Sequence, residues 1–221
     1  MIKKMPAVVE SVETTIKRSL CFLCILVISL FMISCKSTEV SKSSKKITAK
    51  GLRPIYVTNT KKVELLLPEY ALGTYDGIQL LEGTFGDTSF TLLSYTQIDA
   101  TGISLSLMND FGSDMGNVFY DGNNVVFDSA YFPKALPGEY IICDIQNAFY
   151  DKEYLRMNYE SVGLSFEVWN GTGYNPTTNV IETRLIRDGK KLIEEITILE
   201  NTVTIKNHLR GYEYKLTKIE E

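Results

Sequence analysis

Two hydrophobic patterns divide the chain. From Leu20 to Ser34 the sequence LCFLCILVISLFMIS is apolar almost without interruption. A helix needs about 20 such residues to cross the hydrocarbon core. The run is therefore short for a membrane span and the right length for the apolar region of an export signal. The basic pair Lys17-Arg18 stands on the correct side of it. The stretch before Lys17 is long for such a signal, and reads as an extended basic region or as residues from an upstream start codon. Residues 36–50, KSTEVSKSSKKITAK, carry almost no large apolar side chain and cannot bury enough surface to fold. They read as a tether. From Gly51 onward apolar and polar positions alternate in short blocks.

The alternation predicts strands. Residues 63–72 are an apolar lead-in broken by Pro68, a short helix or an edge segment. Asp76-Gly77 is a turn signal, and Ile78–Gly83 a short strand. In 88–98, Phe90, Leu92 and Ile98 share one face while Leu93 and Tyr95 share the other. After a turn at Ala100-Thr101-Gly102, Ile103, Leu105 and Leu107 alternate strictly with Ser104, Ser106 and Met108. Segments 117–120 and 124–128 flank Asp121-Gly122, and 180–187 and 190–199 flank Asp188-Gly189. Both dipeptides are hairpin signals. Leu164, Phe166 and Val168, then Val203 and Ile205, then Tyr212, Tyr214 and Leu216, continue the period of two, with a turn-rich loop at 170–179. Between the two sets of strands, 138–160 lacks Gly and Pro after Gly138, and Ile142, Ile145 and Phe149 fall on one helical face. One helix or two short ones are expected there. Strands grouped around a helical insert predict an α+β domain over residues 51–221.

Composition narrows the chemistry. The net charge of −4 leaves no basic footprint for nucleic acid. Thirteen Tyr and ten Phe suit strands. His208 is the only histidine, which excludes a histidine-rich metal site within one chain. Neither GxSxG nor HExxH occurs. The acidic pairs Glu194-Glu195 and Asp151/Glu153 read as solvated surface, because neighbouring strand residues face opposite ways. Gly171-Thr172-Gly173 is too short for a phosphate loop. No catalytic set, no metal site and no cofactor are expected, and the chain reads as no enzyme. Of the four cysteines, Cys21 and Cys24 lie in the apolar run, Cys35 follows it, and Cys143 reads as a small buried side chain.

Met32-Ile33-Ser34-Cys35 resembles a lipobox, the processing motif of bacterial lipoproteins. Met32 departs from the usual Leu; Ser34 and Cys35 fit. The resemblance implies a signal peptide over 1–34, cleavage before Cys35, acylation of that cysteine and a tether over 35–50. Lys36 follows Cys35 where an Asp would signal retention in the inner membrane, so the outer membrane, facing the periplasm, is the expected location.

Three further segments carry a second resemblance: LPGEYIICDIQNAFY (136–150), TRLIRDGKKLIEEI (183–196) and IKNHLRGYEYKL (205–216). In order and spacing they resemble domain-of-unknown-function family 3261, a group of bacterial lipoproteins similar to the LolA/LolB lipoprotein carriers. That resemblance implies a half-open, curved antiparallel β-barrel, with helices as lid or plug over an apolar cavity that accepts acyl chains. On that reading Leu105, Leu107, Ile142, Ile145 and Phe149 line the ligand site, Cys35 attaches the protein to a membrane, and lipid or lipoprotein is the cargo. The competing expectation is an envelope scaffold that binds a protein partner and has no ligand cavity. Plain core packing is the ordinary role of each of the five apolar residues.

Overall fold

The computed structural model describes residues 47–129, 136–171 and 179–219. The export signal, Cys35 and the tether as far as residue 46 lie outside the described residues, as does most of the loop at 170–179. Residues 47–49, assigned to the tether by composition, pair with the body of the domain. Thr48 bridges Leu66, Ala49 N–H donates to Leu65 O at 2.8 Å, and Ala49 is buried. A lysine-rich stretch ends where its few apolar residues find partners.

A two-stranded ladder opens the domain, β1 (Ile55–Tyr56) with β2 (Lys62–Val63), followed by a 3₁₀ turn at Pro68–Tyr70. Five strands come next: β3 (Tyr75–Phe85), β4 (Thr88–Asp99), β5 (Gly102–Met108), β6 (Asp114–Tyr120) and β7 (Val125–Ser129). Two helices follow, α1 (Gly138–Phe149) and α2 (Lys152–Glu160). Five strands complete the chain: β8 (Ser165–Asn170), β9 (Val180–Asp188), β10 (Lys191–Leu199), β11 (Thr202–Asn207) and β12 (Tyr212–Lys218). β3 to β12 form one ten-stranded antiparallel sheet in the order β7-β6-β5-β4-β3-β12-β11-β10-β9-β8. Strands grouped around a helical insert are the expected α+β arrangement.

The turns differ from expectation in instructive ways. Asp76-Gly77 does not turn. It lies inside β3, where Asp76 pairs with Gln97 and Gly77 with Thr96. The β3–β4 hairpin turns instead at Gly86-Asp87, with Gly86 at φ +56°. Long cross-strand pairing overrode the local dipeptide preference. After Tyr120 the loop is four residues, closed by Asp121 Oδ1 accepting from the N–H groups of Asn123 (2.8 Å) and Asn124 (2.7 Å). After β9 the turn is Gly189-Lys190, one residue later than the Asp-Gly signal, since Asp188 still pairs with Lys191.

The sheet curls. α1 touches β7 and β10, which lie seven strand spacings apart in the sheet order. Flat, that separation would be about 34 Å, against about 18 Å for a twelve-residue helix. The sheet is not closed into a barrel: among the described residues its edge strands β7 and β8 do not pair with each other. The concave face carries the alternating apolar residues foreseen, including Leu92, Ile103, Leu105, Leu107, Tyr214 and Leu216, together with Leu81, all buried.

Candidate functional site

α1 is the element that covers the concave face. Ten of its twelve residues are buried, polar ones among them. Its first residue packs hard against β7: a Cβ on Gly138 would lie 2.6 Å from Phe127 Cβ and 3.0 Å from Val125 Cγ1, so glycine is what permits the approach. Beside it, Glu139 pairs with Arg53 at 3.2 Å. Tyr140 accepts the Tyr56 N–H at 2.9 Å and lies beneath the Arg210 guanidinium, 4.8 Å from its ring centroid.

The middle and end of α1 are held by polar side chains. Gln146 imitates a strand partner for Leu66: its Nε2 donates to Leu66 O at 2.9 Å and its Oε1 accepts the Leu66 N–H at 3.0 Å. The helix C-terminus exposes carbonyls without intrahelical partners. Arg184 Nη1 bonds those of Asn147 and Tyr150, each at 2.9 Å. A cation there also suits the helix dipole. Arg184 Nε donates to Glu182 Oε1 at 2.6 Å, and Lys152 bonds the other Glu182 oxygen at 2.8 Å. Burial opposes ionisation of Glu182, but the hydrogen bonds from Lys152 and Arg184 and their charges outweigh it and hold the carboxyl below its ordinary range. α2 then starts at Asp151, whose carboxylate accepts from the N–H groups of Glu153 (2.9 Å) and Tyr154 (3.4 Å).

A row of buried polar groups crosses the sheet under α1, laid out by strand register. Tyr212 on β12 stands opposite Asn207 on β11, which stands opposite Glu194 on β10. Asp144 and Asn147, one helical turn apart, dock on that row. Tyr212 Oη donates to Asp144 Oδ2 at 2.8 Å. Glu194 accepts from Asn147 at 2.8 Å and from Asn207 at 3.1 Å. Tyr159 of α2 donates to Asn147 Oδ1 at 2.8 Å, and its hydroxyl is 3.6 Å from Cys143 Sγ. Asn207 Nδ2 donates both to Glu194 and, at 3.4 Å, to the Tyr212 hydroxyl that serves Asp144, so the two acids meet on one network. Burial and the neighbouring Glu194 push Asp144 well above the usual carboxylate range, and burial raises Glu194 as well. Burial likewise raises the Cys143 thiol far from reactivity, in keeping with a small structural side chain.

Glu194 corrects a sequence expectation. Of the adjacent acids on β10, Glu195 is near the surface, 3.4 Å from His208, while Glu194 is only 4% exposed. Adjacent residues do face opposite ways; a bulge between Leu192 and Glu194 sets which one faces in. Asp144 had no sequence signal, since helical spacing puts it outside the face of Ile142, Ile145 and Phe149.

Between α1 and the sheet lies a cavity of about 20 Å³, lined by Leu81, Leu105, Ile141, Ile145, Phe149 and Ile205, with Asp144 at its polar side. That is room for about one water, against roughly 300–1,000 Å³ for ligand sites. Of the five residues expected to line a ligand site, Leu105, Ile145 and Phe149 meet here. Leu107 and Ile142 are fully buried in the surrounding core and do not border this cavity. Among the described residues no group of three His, Cys, Asp or Glu side chains is placed to hold a metal ion, and no helix is long and apolar enough to cross a membrane.

The family described as a protein of unknown function, DUF3261, matches residues 77–220, a stretch that contains all three segments quoted above. Among solved structures the chain is similar to one from Vibrio parahaemolyticus described as an outer membrane lipoprotein-sorting protein domain. The identity there is 11% and the TM-score 0.26, with 66% of this chain and 83% of that one covered. Curated proteins return no match.

Proposed function

The chain belongs to domain-of-unknown-function family 3261, and we propose that it is a lipid-anchored envelope protein that takes an acyl chain of a lipid or lipoprotein between α1 and the concave face of its sheet. The observation that supports this is the cover itself. One helix closes an apolar, curled sheet, and the space beneath it is lined mainly by aliphatic and aromatic side chains, with Thr96 and the Asp144 carboxyl among them. Each methylene buried there would contribute about 0.8 kcal/mol, so binding needs no catalytic group. Because the seated helix leaves room for only one water, the chain enters as α1 lifts, and the apolar contacts of α1 are exchanged for those of the ligand. Cys35 attaches the protein to the outer membrane on its periplasmic side, where such chains are delivered. The five residues Leu105, Leu107, Ile142, Ile145 and Phe149 contact the bound chain in the open state.

A fluorescent fatty acid titrated into the full-length protein tests this reading. Ile145→Trp overfills the space at a stability cost of about 1–3 kcal/mol and should weaken uptake at least severalfold with the circular dichroism of the fold retained. Unchanged uptake would place any binding elsewhere.

A second reading has its own support. Phe119 and Val126 face each other across β6 and β7, 43% and 58% exposed, next to the sheet edge. Such a pair suits a protein partner of an envelope scaffold whose interior stays closed. Phe119→Ser with Val126→Thr would then remove partner capture, and the unsubstituted protein would take up no fatty acid.

A further inference from the structure

We propose that Asp144 and Glu194 form a proton-operated latch on α1: one proton held between them seats the helix on the sheet, and its loss frees the helix. The proposal rests on the reading of α1 as a movable cover, for which it supplies the regulation.

The geometry is specific. The two carboxyls sit on different elements, Asp144 on α1 and Glu194 on β10, and are 3% and 4% exposed. Their other partners are all neutral. Glu194 receives the amides of Asn147 and Asn207, while Asp144 receives the Tyr212 hydroxyl. No cation touches either acid among the described contacts. Arg210, the cation whose charge reaches both, spends its guanidinium on Tyr56 O and on the Tyr140 ring. From the remaining elements, Tyr214 on β12, Tyr159 on α2 and Cys143 on α1 face the pair, each kept neutral by burial. His208 and Lys206 bond Glu195 and Glu213 instead. Two carboxylates in such a site repel, and neither has a cation in contact to offset that repulsion, so the seated helix requires that one remain protonated.

The direction of the effect follows from linkage. In the lifted or unfolded state the acids titrate near their ordinary values, 3.8 and 4.5. In the seated state the pair holds its proton to higher pH. Between those limits the seated state binds one proton more, so its advantage is greatest in acid and falls as pH rises, by about tenfold in the opening constant per pH unit. Above the pair's own titration the loss is complete and constant.

Hydrogen exchange of the full-length protein, corrected for the chemical exchange rate and followed from pH 5 to 8, reads the latch without any ligand. Opening of 138–149 should increase by up to about tenfold per pH unit, while the β3–β4 hairpin stays level. Asp144→Asn keeps a hydrogen-bond donor toward Glu194 without a titrating group, and should abolish the increase. Glu194→Gln serves the same purpose from the other side and covers the case in which the first variant does not fold. A flat wild-type profile, or the wild-type slope persisting in a folded variant, overturns the latch. A steep profile in a protein that takes up no acyl chain upholds the latch and removes the acyl reading. Uptake with a flat profile does the reverse.

Discussion

Gln146 shows how much of this domain depends on single polar side chains. Its amide completes the buried backbone of Leu66 on both sides. Gln146→Leu leaves the Leu66 N–H without a partner, and should cost about 1–3 kcal/mol, read as a lower urea midpoint at unchanged slope. The acids act in opposite senses. Glu182 is depressed, so its contribution is present above its unfolded titration and is lost as pH falls through the folded one. Asp144 is raised, so its contribution is present in acid and is lost as pH climbs. Asp144→Asn should therefore leave stability near pH 5 little changed and raise it above wild type at pH 8, measured by denaturant unfolding at both values. At this scale the sequence was least informative. The apolar face of α1 was readable from Ile142, Ile145 and Phe149. That Asp144 and Asn147 share the buried side depends on a docking partner, the Tyr212–Asn207–Glu194 row, which strand register creates and no local pattern announces.

Among the elements, the strands were the most legible part of the chain. Strict alternation in Ile103–Met108 and Tyr212–Leu216 fixed both the strands and their inward faces. β9 was harder, because Glu182, Thr183, Arg184, Leu185 and Ile186 are all buried, two of them ionic, and the period of two is lost. The division of 138–160 into α1 and α2 turns on Asp151. Its carboxylate starts α2, just where Arg184 ends α1. Asp151→Ala should cost about 0.5–2 kcal/mol, and Asp151→Ser much less, by the same unfolding measurement. Close approach makes α1 sensitive at its other end. A methyl group on Gly138 meets the Phe127 and Val125 side chains of β7 close to their backbone, so Gly138→Ala should raise hydrogen exchange in 138–144 well before the β3–β4 hairpin is affected.

On the scale of the whole molecule, the proposed function needs both the lipid anchor expected at Cys35 and the covered apolar sheet. The fold class was readable because antiparallel strands announce themselves by period, whereas the curl of the sheet and the filling of its interior depend on side-chain packing across elements far apart in sequence. The anchor is argued from the lipobox alone. Cys35→Ser should leave the domain folded by circular dichroism and shift it from the membrane to the soluble fraction; a processed variant that still sediments with membranes contradicts the anchor. The central claim is that α1 covers an acyl-binding space. Its most direct test is mass spectrometry of the organic extract from full-length protein isolated from native envelopes, with Ile145→Trp as the filled control. Non-covalent acyl lipid near one per protein is expected in the wild type, with a clear loss in the variant. A wild-type protein that carries and accepts no acyl lipid would contradict the claim.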